Sequence, residues 1–136
     1  MLKKVIVHCD GASRSNPGRA SVGVVIFDEE MNILKRYKEY IGIATNNVAE
    51  YMSLIAALKL SYDFTHNEIV VYMDSELIIK QMKGLYKIKN TTLYVLYSEA
   101  KKIEESFSKI VYKNVPRENK YQKIADALAN EALDEK

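Results

Sequence analysis

Val5-Ile6-Val7-His8-Cys9-Asp10-Gly11 and Ile69-Val70-Val71-Tyr72-Met73-Asp74-Ser75 share one pattern. In each, a mostly apolar run of five residues meets an aspartate and then a small residue. A strand apolar on both faces belongs in the middle of a sheet rather than at its edge. Two such strands lying parallel and adjacent would carry Asp10 and Asp74 to the same end. In open α/β sheets, sites form beyond the carboxyl ends of the parallel strands. Glu50 and Asp126, in helical surroundings, add two more acids, and carboxylates so grouped suggest a divalent-metal site.

The segments around these runs supply the rest of the architecture. Residues 3–9 read as the first strand, and the nine residues after it, rich in Gly, Ser, Asn and Pro, read as loop. Ala20 to Phe27 and Ile33 to Ile41 read as two antiparallel strands joined by a turn at Asp28-Glu29-Glu30-Met31-Asn32, which makes a three-stranded meander. Helical period begins at Asn46 and lasts to about Tyr62, with Ala49, Met52, Ala56 and Leu60 on one stripe and Thr45 available as N-cap. After the strand at 68–73 come a short helix to about Met82, a loop at 83–90, and a helix from Thr91 or Thr92 to about Phe107. A last strand from Ile110 to Val115 precedes a helix from about Tyr121 to Leu133 that carries Asp126. This order predicts a mixed α/β fold, and right-handed crossover makes the strand at 68–73 parallel to the first.

Composition narrows the function classes. A chain of 136 residues with 48% apolar content fits a single domain over 1–136 with a proper core. No apolar run is long enough for a membrane span and no leader pattern opens the chain, so a cytoplasmic setting without membrane partners is expected. The lone Cys9 reads as a small buried hydrophobe. Net charge is only +2. If the four acids hold metal, the remaining surface carries about +6, a modest aid to phosphate binding. Taken singly, Asp74 would merely cap the next helix, and Glu50 and Asp126 would be solvated helix charges.

In combination, Asp10-Gly11-Ala12-Ser13, Asn16-Pro17-Gly18, Thr45-Asn46-Asn47-Val48-Ala49-Glu50-Tyr51, Met73-Asp74-Ser75 and Ala125-Asp126-Ala127-Leu128-Ala129-Asn130 resemble, in order, the ribonuclease H type 1 family in a short form without its basic protrusion. The resemblance spans nearly the whole chain. It implies a ribonuclease H-like five-stranded mixed sheet flanked by helices, and an enzyme that cuts the RNA strand of RNA/DNA hybrids to 5′-phosphate and 3′-hydroxyl ends. It implies Asp10, Glu50, Asp74 and Asp126 as catalytic metal ligands, with Mg²⁺ or Mn²⁺ as cofactor and two ions per site when substrate is bound. Asn16, Asn46 and Asn47 then fall beside the RNA strand, where amides suit a 2′-hydroxyl. Thr45 and Asn90 match a pocket for a DNA phosphate, and Gly11 and Ser15 join the substrate-binding set. A monomer is expected.

The chain departs from this pattern in several places. It has no Trp, and the stretch after the third acid is short. Lys80, Lys83, Lys87 and Lys89 with Tyr86 offer a small basic patch in its stead. The loop before the last acid, Pro116 to Lys123, lacks the histidine of many relatives; Arg117 and Glu118 are its candidates for a phosphate- or metal-related role. Gln122 stands where Asn is usual, and Ile43 where some relatives place arginine. Three readings therefore stay open: a hybrid-specific endoribonuclease, a relaxed enzyme that also cuts double-stranded RNA, and a non-catalytic nucleic-acid-binding module of the same fold.

Overall fold

A computed structural model describes residues 1–136. Five strands and four helices follow in the order β1 (Lys4–Ser13), β2 (Gly18–Phe27), β3 (Ile33–Ala44), α1 (Asn46–Ser61), β4 (Glu68–Met73), α2 (Glu76–Met82), α3 (Thr91–Glu104), β5 (Lys109–Asn114) and α4 (Gln122–Asp134). They form one mixed sheet in the order β3-β2-β1-β4-β5. The meander supplies the antiparallel half, and β4 and β5 run parallel to β1 on its other side. The mostly apolar strands of the sequence, β1 and β4, are the central neighbours.

The central strands β1, β2 and β4 are buried on both faces. Val5, Val7 and Cys9 of β1 pack with Tyr51, Leu54 and Leu58 of α1 in the main core. Alternation turns His8 and Asp10 to the opposite face, where Val25 and Phe27 meet Ala125 and Leu128 of α4. The α1 stripe is rotated from the expected one. Ala49 is buried as expected, but Met52, Ala56 and Leu60 are only half-buried, while Tyr51, Leu54, Ile55 and Leu58 face the core. A helix covered by both the sheet and α3 buries more than a single stripe.

The loop expected after Cys9 is mostly strand. β1 continues to Ser13, paired with β2 through Asp10↔Gly23, Gly11↔Val22, Ala12↔Ser21 and Ser13↔Ala20. Small turn-forming residues read locally as loop, but a neighbouring strand that satisfies their backbone groups overrides that preference. β3 likewise runs beyond Ile41 to Ala44, past a register shift opposite Ala20 and Ser21. In contrast, α3 ends at Glu104, short of Phe107.

Candidate metal and nucleic-acid site

The parallel register sets the first pair of acids. β1 and β4 pair from Lys4↔Glu68 to His8↔Tyr72, so continuing the same offset puts Asp10 level with Asp74 just past the last pair. Asp74 is free of the capping role that its position suggests. Ser75 is the N-cap of α2, its Oγ accepting from the Ile78 N–H at 3.3 Å.

Two glycines bring the helical acids within reach. A Cβ on Gly11 would lie 2.2 Å from the backbone carbon of Ala49. With hydrogen there instead, α1 lies directly on β1, and the Gly11 N–H donates to Glu50 Oε1 at 2.5 Å. On the other face, a Cβ on Gly23 would lie 2.1 Å from the Ala125 carbonyl oxygen. Gly23 is the strand partner of Asp10, so the close approach of α4 delivers Asp126 beside that residue. Asn130, one turn later, donates through Nδ2 to the Asp126 carbonyl at 3.0 Å and to Oδ1 at 3.3 Å, which orients the carboxylate.

One carboxylate oxygen from each of Asp10, Glu50 and Asp74 can be chosen so that all lie within 4.8 Å of one another. Asp126 stands at the side of this trio and joins it in lining a cleft of about 390 Å³, together with Gly11, Asn46, Arg117 and Asn130. Burial first, and then the charges of Glu50 and Asp74, push the Asp10 carboxyl up to about 10. Burial also pushes Glu50 up to about 7, against the opposing pull of the Gly11 N–H, and it raises Asp74. Like charges this close cannot all ionise unaided. The nearest cation is Arg117, whose guanidinium is 3.9 Å from Asp126 and largely exposed, so it neutralises little. Hard oxygen donors in this number and spacing fit a divalent cation.

Beyond the acids, a groove of about 530 Å³ collects Asn16, Ile43, Thr45, Asn47 and Asn90 from three separate segments. Two helices begin at this groove. Thr45 caps α1, its Oγ1 accepting from the Val48 N–H at 3.2 Å, and Asn90 caps α3, its Oδ1 accepting from the Leu93 N–H at 3.0 Å. Neither helix has an acid in its first turn, so both present positive dipole ends there. Asn16 Oδ1 accepts from the Asn46 N–H at 3.0 Å, tying the β1–β2 loop to the start of α1. Ser15 is exposed on that loop, and its carbonyl accepts from the Ser13 hydroxyl.

The remaining candidates divide. Arg117 lines the acidic cleft, and Glu118, exposed, lies near enough to raise Asp74. Lys80 is committed to Glu76 at 2.6 Å and lies 5.1 Å from the centre of the Tyr86 ring, which leaves Lys83, Lys87 and Lys89 as the free part of the basic patch. Sequence reading missed the orienting role of Asn130, although its spacing of four from Asp126 places the two on one helix face. It also missed a buried relay below the cleft. Gln122 Oε1 accepts from His8 Nδ1 at 3.0 Å, and Gln122 Nε2 donates to the Cys9 carbonyl at 2.8 Å. This pins the start of α4 to the strand just before Asp10. Burial holds His8 down at about 4, so the ring is neutral there. No helix is long and apolar enough to cross a membrane.

A carboxylate cluster lies past the ends of parallel strands, flanked by a groove at which two helices begin, and its hard oxygen donors fit a divalent cation. Comparison with known proteins supplies the family. The Reverse transcriptase-like family model matches residues 8–132. The bifunctional protein Rv2228c of Mycobacterium tuberculosis is 44% identical over 133 residues, 96% of this chain. The crystal structure of RNase H1 from Halobacterium salinarum superposes with a TM-score of 0.94 at 40% identity, covering 98% of this chain and 99% of that one. LC11-RNase H1, solved in complex with an RNA/DNA hybrid, gives a TM-score of 0.89 at 43% identity over 96% and 97% of the two chains. The chain belongs to the ribonuclease H type 1 family. It spans 36% of the length of its mycobacterial relative.

Proposed function

We propose that residues 1–136 form one catalytic domain, a metal-dependent endoribonuclease that hydrolyses the RNA strand of RNA/DNA hybrids and leaves 5′-phosphate and 3′-hydroxyl ends. The observation that carries this reading is the convergence of Asp10, Glu50 and Asp74 to within 4.8 Å, with Asp126 lining the same cleft, in a ribonuclease H fold. The complex of LC11-RNase H1 with a hybrid supports the choice of substrate. A cytoplasmic monomer is the setting this reading carries.

Asp10, Glu50, Asp74 and Asp126 would hold Mg²⁺ or Mn²⁺, two ions per site with substrate bound. Ions so bound supply a nucleophile at neutral pH and neutralise charge at the attacked phosphate. The chain's own residues do the positioning. Asp10, level with Asp74 and next to both helical acids, would be the ligand best placed to be shared. The Gly11 N–H fixes Glu50, and Asn130 fixes Asp126. Asn16, Asn46 and Asn47 face the RNA strand, where each amide can donate to and accept from a 2′-hydroxyl, a group DNA lacks. Thr45, Asn90 and the two helix N-termini receive a phosphate of the DNA strand. Arg117, which lines the cleft, and Glu118, whose charge reaches Asp74, take a phosphate- or metal-related role. During hydrolysis a water oxygen bonds to phosphorus and gives up a proton, the bond from phosphorus to the 3′ oxygen breaks, and that oxygen takes up a proton to leave as a 3′-hydroxyl.

One observation favours a relaxed substrate range as the second reading. With Lys80 paired to Glu76, the basic patch is smaller than the sequence suggests, and A-like duplexes share the minor-groove shape and 2′-hydroxyls. The test is cleavage of a labelled RNA/DNA hybrid beside RNA duplex, single-stranded RNA and DNA duplex, with Mg²⁺, Mn²⁺ or chelator. Metal-dependent cutting of the hybrid's RNA strand supports the proposal. Equal cutting of RNA duplex would establish the relaxed enzyme, and binding without cutting under any metal would establish a non-catalytic module.

A further inference from the structure

The sheet ends at β5, and nothing pairs with the outer edge of that strand. Lys109 and Val115 donate their N–H groups inward, to the carbonyls of Asn67 at 3.1 Å and Met73 at 2.9 Å. Strand alternation sends the backbone groups of Val111 and Lys113 the same way, which turns the N–H and C=O of Ile110, Tyr112 and Asn114 toward the open edge. A groove of about 650 Å³ runs beside this edge, floored by Met82, Phe107, Ile110 and Tyr112. Lys83, Lys101, Lys109 and Lys113 surround it, against a single acid, Glu104.

That acid is already engaged. Glu104 accepts from the Tyr112 hydroxyl and pairs with Lys101 at 3.4 Å. Lys101 also donates to the Met82 carbonyl at 2.8 Å. Lys83, Lys109 and Lys113 remain, exposed and without any acidic partner. Lysines on an edge strand discourage pairing between copies of one chain, because like charges would face each other. The same charges favour an incoming strand of opposite sign.

We propose that the β5 edge is a docking site for an extended acidic segment of a partner protein, added to the sheet as a sixth strand. The two faces of the added strand meet different surroundings. Residues on the face of Lys109 and Lys113 are acidic, and those on the face of Ile110 and Tyr112 are apolar, so the segment alternates acid and hydrophobe. A nucleic acid would meet the lysines but lacks the alternating donors and acceptors that the free backbone groups require. The site lies apart from the acidic cleft and stands whether or not the nuclease reading holds.

The test is fluorescence anisotropy of the full chain with a labelled, end-blocked eight-residue peptide of alternating Asp and Val. Saturable binding is expected, weakened about tenfold in the Lys109→Glu/Lys113→Glu variant. It should weaken about as much for the wild-type protein when the peptide is N-methylated at alternate residues, which removes strand donors but keeps charge. Cleavage of hybrid by the lysine variant should stay unchanged. No saturable binding, or equal binding of the N-methylated peptide, would overturn the proposal. So would displacement of the peptide by a labelled thymidine oligonucleotide that binds the same lysines more tightly, since the edge would then be a nucleic-acid surface.

Discussion

Asp10→Asn should make the metal-free protein more stable while it abolishes cleavage. Asp10 is 5% exposed, and burial with its acidic neighbours holds its carboxyl up at about 10, whereas its ordinary value is 3.8. Because the folded value lies above the unfolded one, the group contributes most in acid, and its contribution is lost as pH rises from about 4 towards about 10. At about pH 7.5 the unfolded chain gains ionisation free energy over about four pH units that the metal-free fold forgoes. At about 1.4 kcal/mol each, that sets a ceiling near 5 kcal/mol. Protons shared with Glu50 and water entering the cleft reduce it, and about 2–3 kcal/mol is expected. Asparagine keeps the shape and does not titrate, so the variant should melt about 10 °C above wild type. Thermal unfolding in chelator at about pH 4.5 and about pH 7.5, with hybrid cleavage alongside, reads both effects. An Asp10→Asn protein no more stable than wild type at the higher pH, or a gain that does not grow with pH, would refute the electrostatic account.

Further outcomes follow from the same geometry. Metal affinity should rise with pH, more steeply below about pH 7, where protons on both Glu50 and Asp10 must leave, than from there towards about pH 10, where Asp10 alone still holds one, and calorimetry in buffers of different ionisation enthalpy should detect their release; a flat profile would contradict the raised carboxyls. Gly11→Ala places a Cβ 2.2 Å from the Ala49 backbone, so α1 must shift. A loss of about 1–3 kcal/mol by chemical denaturation is expected, with a larger drop in kcat than in hybrid affinity because Glu50 moves with the helix. Asn47→Ala should narrow the preference for RNA over DNA in the cleaved strand with little change in Tm, and an unchanged preference would remove Asn47 from the RNA-facing set.

Much of the fold could be read from residues 5–10 and 69–74. Mostly apolar runs ending in aspartate marked the two central strands, and crossover handedness made them parallel, which is what levels Asp10 with Asp74. Less legible were features decided by distant partners. Gly11 to Ser13 read as turn residues because local preference cannot see β2, which pairs with them. The buried face of α1 depends on where α3 lands, so Met52 and Leu60 fell outside the deep core although their spacing is helical. Asp74 resembled a helix cap until Ser75 was seen to fill that role. The four acids themselves were legible because each sits in a marked local context. Their orienting neighbours, Asn130, Gln122 and the Gly11 N–H, were not, because a hydrogen bond between segments far apart in the chain leaves no local pattern.

The central claim is that four acids from four elements make one metal-dependent cutting site. It is tested most directly by single-turnover cleavage of a labelled RNA/DNA hybrid with Asp10→Asn, Glu50→Gln, Asp74→Asn and Asp126→Asn side by side, each with hybrid binding and thermal unfolding measured. The account predicts a fall of about a hundredfold or more in cleavage for each, with hybrid still bound and the fold intact. Wild-type cleavage by any one of the four would contradict it.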